Sequence, residues 1–214
     1  MNIPEKIDEI NIKYNKWVIA IHLNNVTYHT IWGYDSLTKN GDTKLLLDSK
    51  KNILLFKTRH DSITAVLTTE IPVFDTEKTT NWAKEIQKIV NLYEDESVNN
   101  LDHLQSIIER FNFENIDNIA PEDAQNIVNF VNLFTDYADQ IGDSSLLILW
   151  NNPAIKSFWE YLYNQFFWTI PADELKEKQA EVLENYKADA CKKGLMDMLA
   201  VFKSRLVVYS ETAR

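Results

Sequence analysis

The chain has 214 residues, a formal net charge of −10, 45% hydrophobic side chains, four glycines and one cysteine. A chain of this size buries about 70% of its unfolded surface and needs neither metal nor disulfide to fold, and the lone Cys191 forms no intramolecular bridge. The acidic balance repels phosphate, which argues against direct nucleic-acid or anionic-membrane binding and favours a basic protein partner.

The opening MNIPEKIDEINIKY has none of the cationic start, apolar run and small-residue cleavage site of a secretory signal, so a cytoplasmic location is expected. Lys16–Leu23 alternates Trp17, Ile19, Ile21 and Leu23 on one face, the period of a half-buried strand. Asn24 and Asn25 then predict a tight turn into VTYHTIWGY. TKLLLD and NILLFKT predict a second hairpin closed by SKKN, so that residues 16–58 read as a four-stranded antiparallel meander. In RHDSITAVL, Asp61 or Ser62 is placed to cap a short helix, while ITAVLTTEI fits a fifth strand equally well.

From Thr79 the period becomes helical. Trp82, Ile86, Ile89, Val90 and Tyr93 form one stripe, and Leu101, Leu104, Ile108 and Phe111 a second. After Pro121, suited to a first helical position, Ile127, Val131, Phe134, Ala138 and Ile141 form a third. Asn152 and Pro153 predict the start of a helix running to about Trp168, whose aromatic residues point all round its axis and are expected mainly in the core. The tract SLLILWNNPAIKSFWEYLYNQFFWTI is broken by polar residues and Pro153, so no membrane span is predicted. PADELKEKQAEVLENYKADACKKG reads as one charged amphipathic helix, with Gly194 as its stop or an internal weak point. The tail LMDMLAVFKSRLVVY fits a last helix or a terminal strand. The expected fold class is α+β: an N-terminal antiparallel β-meander followed by a largely helical C-terminal half. Without a Gly/Ser- or Pro-rich linker, residues 1–214 are expected as a single domain, any lobes being 1–78 and 79–214.

Candidate chemistry is sparse. His22, His29, His60 and His103 lie in no metal-ligand spacing, and His22 and His29 come close only if they meet across the Asn24–Asn25 hairpin. His60-Asp61-Ser62 has the residue types of a hydrolase triad, but sequence adjacency does not give triad geometry. No glycine-rich phosphate loop or nucleophile elbow is present. Glu94–Glu96 lacks the oxygen spacing and turn glycine of a calcium loop. No cofactor, no metal and no enzymatic activity are expected.

Charge is the uneven feature. Residues 94–143 hold twelve acids and one base, so this block carries −11 and the remainder +1. On the helix after Pro121, Gln125, Asn129, Asn132, Asp136, Asp139 and Asp143 recur at three- and four-residue intervals opposite the apolar stripe. Asp102 and Glu109 share a face of the preceding helix. Asp102, Glu109, Asn129, Asn132, Asp136, Asp139 and Asp143 are the candidate partner-binding set, because ordinary solubilising faces mix signs.

The stretch TKLLLDSKKNILLFKTRHDSITAVL, Thr43–Leu67, a hairpin running into a short capped element, resembles the opening of immunity proteins that neutralise bacterial polymorphic or contact-dependent toxins. That resemblance implies inhibition by occlusion, with carboxylates standing in for the anionic substrate of a cognate toxin. Two other classes fit the sequence: a regulatory or scaffold protein, including a nucleic-acid mimic, that binds a basic host protein, and an enzyme whose site is assembled from distant residues.

Overall fold

A computed structural model describes residues 3–39, 41–68, 71–92, 98–168, 171–184 and 186–210. The fold is mixed α+β, with an N-terminal antiparallel sheet and a helical C-terminal half. Two compact units are distinguished: residues 1–99 together with 205–214, and residues 100–204. The second is therefore an insertion into the first. The join between the possible lobes 1–78 and 79–214 lies within the helix Thr76–Ile86 of the first unit, and the two units divide between Asn99 and Asn100.

The first unit opens with a helix that the strand and stripe patterns do not predict, α1 (Ile3–Tyr14), which buries Ile7, Ile10 and Asn11. Strands β1 (Lys16–Leu23) and β2 (Val26–Tyr34) pair antiparallel, Leu23 opposite Val26 and Trp17 opposite Trp32. Asn24 and Asn25 both take positive φ, 54° and 59°, the backbone of a type I′ hairpin turn. Strand β3 (Thr43–Leu45) extends this sheet beyond β2, and β5 (Val98–Asn100) lies on the other side of β1.

The fourth strand of the expected meander departs from it. The turn forms as its sequence suggests, Asp48 Oδ1 accepting from the amides of Lys50 and Asn52. Yet β4 (Ile53–Leu55) keeps only short contacts with the meander, a bridge from Ile53 to Leu47, the Leu54 amide on the Leu46 carbonyl and a bridge from the adjoining Phe56 to His29 of β2, and pairs in parallel with β6 (Leu206–Val208), at the far end of the chain. Ile53, Leu54 and Leu55 are all buried, which fits a strand used on both edges. Strand β1 is likewise covered on both faces: Ile21 is fully buried, while on the opposite face Ala20 is buried and Val18 packs against the first unit's own core of Ile7, Ile31, Phe56 and Trp82.

Helix α2 (Arg59–Thr68) settles the choice left open for ITAVL. Its cap is a capping box that starts at Thr58, three and four residues before the Asp61 or Ser62 expected from the sequence. Thr58 Oγ1 accepts from the Asp61 amide at 3.0 Å, and Asp61 Oδ2 accepts from the Thr58 amide at 3.1 Å. Helix α3 (Thr76–Ile86) buries Trp82, whose indole donates to Asn11 Oδ1 at 3.0 Å and so fastens α3 to α1. The Trp82–Ile86 stripe continues to Val90 in a 3-10 turn, and its last member, Tyr93, lies outside the described residues.

One ion pair is enclosed in this unit. Lys16 Nζ lies 3.4 Å from Asp75 Oδ2, with side chains 0% and 4% exposed. Asp75 adopts a left-handed φ of 46° and also receives the Ser36 hydroxyl at 2.8 Å and the Ser36 amide at 3.2 Å. Burial opposes ionisation of Asp75, but the Ser36 hydrogen bonds and the ammonium outweigh it and hold the carboxyl below its ordinary range. Desolvation moves Lys16 in the direction expected of a buried cation, downward.

The second unit is helical. Helix α4 (Leu101–Arg110) is capped by Asn100, whose Oδ1 accepts from the His103 amide at 2.9 Å. Helix α5 (Pro121–Ile141) has proline in its first turn and Gly142 in a left-handed cap, φ 61°. Of its predicted stripe Ile127, Val131, Phe134 and Ala138 are buried, while Ile141 at the helix end is half-buried. Helices α6 (Ser144–Trp150) and α7 (Pro153–Phe166) follow, α7 capped by Asn152. The expected long charged helix is two helices, α8 (Ala172–Leu183) and α9 (Ala188–Ser204). The break brings the Tyr186 hydroxyl to the Phe113 carbonyl at 2.7 Å, and α9 runs on through Gly194 to Ser204 before the chain re-enters the first unit as β6. Gly194 stops nothing: a Cβ there would sit 2.5 Å from Ile155 Cδ1, so glycine is what lets α7 approach α9.

Gly194→Ala should lower stability by about 1–3 kcal/mol, the usual cost of overpacking. Ile155→Val, which removes the clashing Cδ1, should recover part of that loss, so urea unfolding of the single and double variants should be non-additive. Asp75→Asn keeps an acceptor and tolerates the left-handed backbone but leaves Lys16 uncompensated, at a cost of about 3–5 kcal/mol near neutral pH. Because the folded pKa of Asp75 is depressed, its contribution is present above the unfolded value of about 3.9 and lost as pH falls through the folded one. The gap in melting temperature between the wild type and Asp75→Asn should therefore shrink on acidification.

Candidate protein-docking face

The predicted partner-binding residues all belong to the second unit, which by sequence carries seventeen acids and eight bases, −9 of the total charge. The fold distributes them unevenly. On α4, Asp102 lies 3.9 Å from Lys203 Nζ of α9, and the Glu109 carboxylate accepts from Gln105 at 2.9 Å while its carbonyl faces Lys192 Nζ at 3.3 Å. Asp123, in the first turn of α5, is gripped by Arg110 at 3.2 Å and His103 at 3.0 Å. Asp117 accepts from the Tyr161 hydroxyl, and burial, aided by that carboxylate, drives the Tyr161 pKa upward. Much of the linear acidic block is thus matched by partners the sequence places far away. Glu94–Glu96 lies outside the described residues.

The α5 members do share one face. Asn129 accepts from Gln125 at 2.6 Å, Asn132 is exposed, Asp136 is half-buried one turn on, and Asp139 is exposed. Asp143, at the end of this row, acts locally, because its Oδ1 accepts from the Ser145 amide at 2.9 Å and caps α6. Between Pro121 and Phe166, across α5, α6 and α7, there are six acids and one base, Lys156.

Beside this face runs a set of rings that the all-round aromatic pattern of α7 predicts mainly for the core. The helix divides them: Phe158 and Tyr161 are buried, whereas Trp159, Tyr163 and Phe166 are half-buried. Ring centroids run from Trp150 to Trp159 at 5.8 Å, to Tyr163 at 4.8 Å, and on to Phe167 at 5.5 Å and Trp168 at 5.8 Å. Trp168 is 62% exposed. The two features join where the Trp159 indole donates to Asn132 Oδ1 at 3.0 Å. A spacing of four from Trp159 to Tyr163 to Phe167 is the sequence signal for this row, because residues so spaced share one helical face.

Elsewhere the chemistry is occupied. His22 faces Thr27 and His29 faces Ala20 in the hairpin register, so the two histidines are not directly opposite each other. Ser62 is buried and donates to the Arg59 carbonyl, and Asp61 serves the capping box, so His60-Asp61-Ser62 forms no triad. Cys191 is buried, and burial pushes its thiol pKa up, the opposite of an activated nucleophile. Among the described residues no three His, Cys, Asp or Glu side chains are grouped to hold a metal, and no helix is long and apolar enough to cross a membrane.

No protein-family model and no curated protein matches the chain. Among solved structures, the C-terminal domain of SatS, crystallised in complex with bromine, is similar with a TM-score of 0.56 and 13% identity, over 93% of this chain and 96% of that one. A likeness at that identity carries the fold alone.

Capping separates Asp143 from Asp139. Asp143→Ala should cost about 1 kcal/mol through loss of the α6 cap. Asp139→Ala should stay within about 0.5 kcal/mol, as surface substitutions do. Thermal melting of the two variants checks the difference.

Proposed function

We propose that the protein is a non-enzymatic, cytoplasmic binding protein that engages a basic protein partner through the α5–α7 side of its helical unit, as an immunity protein occluding a cognate bacterial toxin. The observation that carries this reading is the scarcity of bases along α5–α7: residues 121–166 hold six acids and one base in sequence, and although Asp123 is paired with Arg110 and Asp143 caps α6, Asp139 is exposed with Asp136 one turn away on the same helix. Carboxylates so placed raise the encounter rate with a cationic surface and penalise acidic competitors. A toxin acting on nucleic acid presents a cationic active site, and a carboxylate row offers it the charge of its substrate without the scissile bond. Resemblance of Thr43–Leu67 to immunity proteins adds the biological setting.

The test begins with a partner captured at low salt whose expression alone arrests growth. Association with the wild type should slow as ionic strength rises from 0.01 M to 0.15 M, where the Debye length falls from about 30 Å to about 8 Å. Asp136→Lys with Asp139→Lys should slow association by about tenfold or more at low salt while leaving the fold intact by circular dichroism. Co-expression should restore growth with the wild type and not with the double variant. Equal rates and equal protection at physiological salt would reduce the face to a solubilising surface.

A further inference from the structure

The aromatic row on α6 and α7 is a surface whose composition differs from the face beside it. One side of α7 supplies Ile155, Phe158 and Leu162 to the core. On its other side Trp159 and Tyr163 remain half-buried, with Phe167 and Trp168 continuing the row past the helix end, and Ile148 of α6 is 71% exposed. Tryptophan and tyrosine kept at a surface are the residue types that dominate binding energy at protein interfaces.

The row already seats one cation. Lys156 Nζ lies 5.5 Å from the centre of the Trp150 ring, steadied by Asn151 Oδ1 at 2.6 Å. Within α5–α7 no second lysine or arginine occurs, while α8, which packs on α7 through the Gln179–Gln165 hydrogen bond, carries Lys176 and Lys178. Carboxylates flank the rings: Glu160 is exposed next to Trp159 in sequence, and Asp136 and Asp139 continue the α5 face from Asn132, the residue bonded to Trp159. Aromatic faces rimmed by carboxylates suit a flat, weakly hydrated cation, because the ring quadrupole and the carboxylate attract the same group. Nucleic-acid bases also stack on such rings, but their phosphates would meet the same carboxylates.

We propose that Trp150, Trp159, Tyr163 and Trp168 form the contact core of the docking face and receive arginine side chains of the basic partner, with Asp136, Asp139 and Glu160 as the surrounding acidic rim. This deepens the basic-partner reading and rests on it. Steering belongs to the rim and residence time to the rings. Arginine is preferred over lysine because its guanidinium stacks on the ring while still reaching a carboxylate.

The experiment titrates ¹⁵N-labelled full-length protein with octa-arginine and, separately, octa-lysine, following the tryptophan indole Nε1–H signals assigned by single Trp→Phe substitutions. Octa-arginine should bind about fivefold or more tightly than octa-lysine and shift the indoles of Trp150, Trp159 and Trp168. Trp168→Ala removes a ring that is largely exposed and should erase much of that preference, while Tyr163→Phe, which keeps the ring, should retain it. Asp136→Lys with Asp139→Lys should weaken both peptides alike. Equal affinity for the two peptides, or shifts at Trp17 and Trp32 in place of the three indoles, overturns the arginine site and leaves the basic-partner reading standing. Failure of both peptides to bind at 0.01 M salt, with the fold intact, overturns the two together.

Discussion

The candidate face exists because of an aromatic seam on the opposite side of α5. Phe202 of α9 is fully buried and lies 5.7 Å from Phe130, 6.3 Å from Phe134 and 5.9 Å from Tyr137, all on α5. Each ring removes on the order of 150–250 Å² from water, and the edge-to-face pairs add directional preference. That seam fixes the rotation of α5 about its own axis. With Phe130, Phe134 and Tyr137 turned inward, the three- and four-residue spacing places Asn132, Asp136 and Asp139 outward. A helix of 21 residues held along one side by large rings has little freedom to roll.

The same unit shows why a charge count along the sequence overstates a charged surface. Residues 94–143 contain one base, yet Asp102, Asp117 and Asp123 all have polar or cationic partners. Lys203 reaches Asp102 from the far end of the unit. Arg110, the single base of the block, is spent on Asp123. Exposed pairs of this kind contribute about 0–1 kcal/mol each, so they shape the potential more than the stability. What remains uneven is the α5–α7 side, where bases are scarce in the sequence and where Lys156 is turned onto Trp150.

Much of the fold is legible where period and punctuation agree. The paired asparagines mark the first hairpin, Pro121 and Gly142 bracket α5, and Asn152–Pro153 opens α7. The departures have physical reasons. In α1, Ile3, Ile7 and Ile10 recur at helical spacing, but a 12-residue helix is marginal by itself and is held here by tertiary contacts such as the Trp82 indole on Asn11. Departure of β4 from the meander is not readable, because its parallel partner β6 comes from the chain's end and parallel pairing leaves no local mark. The division into α8 and α9 hides in a good helix-forming sequence, where Tyr186 turns to the Phe113 carbonyl in a tertiary choice. For the site, periodicity finds the α5 face. It cannot tell which carboxylates are paired, nor that three of the five rings in the aromatic helix stay half-buried.

Carboxylates and rings on one face solve different parts of the binding problem. A solvated carboxylate acts over about a Debye length and accelerates encounter, but an exposed ion pair adds little to the lifetime of a complex. An aromatic surface contributes contact area and excludes water, which slows dissociation, but it does not discriminate by charge and in a free protein is a liability for self-association. Rimmed by acids, the same rings are protected from pairing with a second copy, since two such faces repel. The partner able to satisfy both is one that brings cations carried on flat or apolar side chains, and on the face described that requirement follows from two residues already in contact, Asn132 and Trp159, which tie the carboxylate row to the rings.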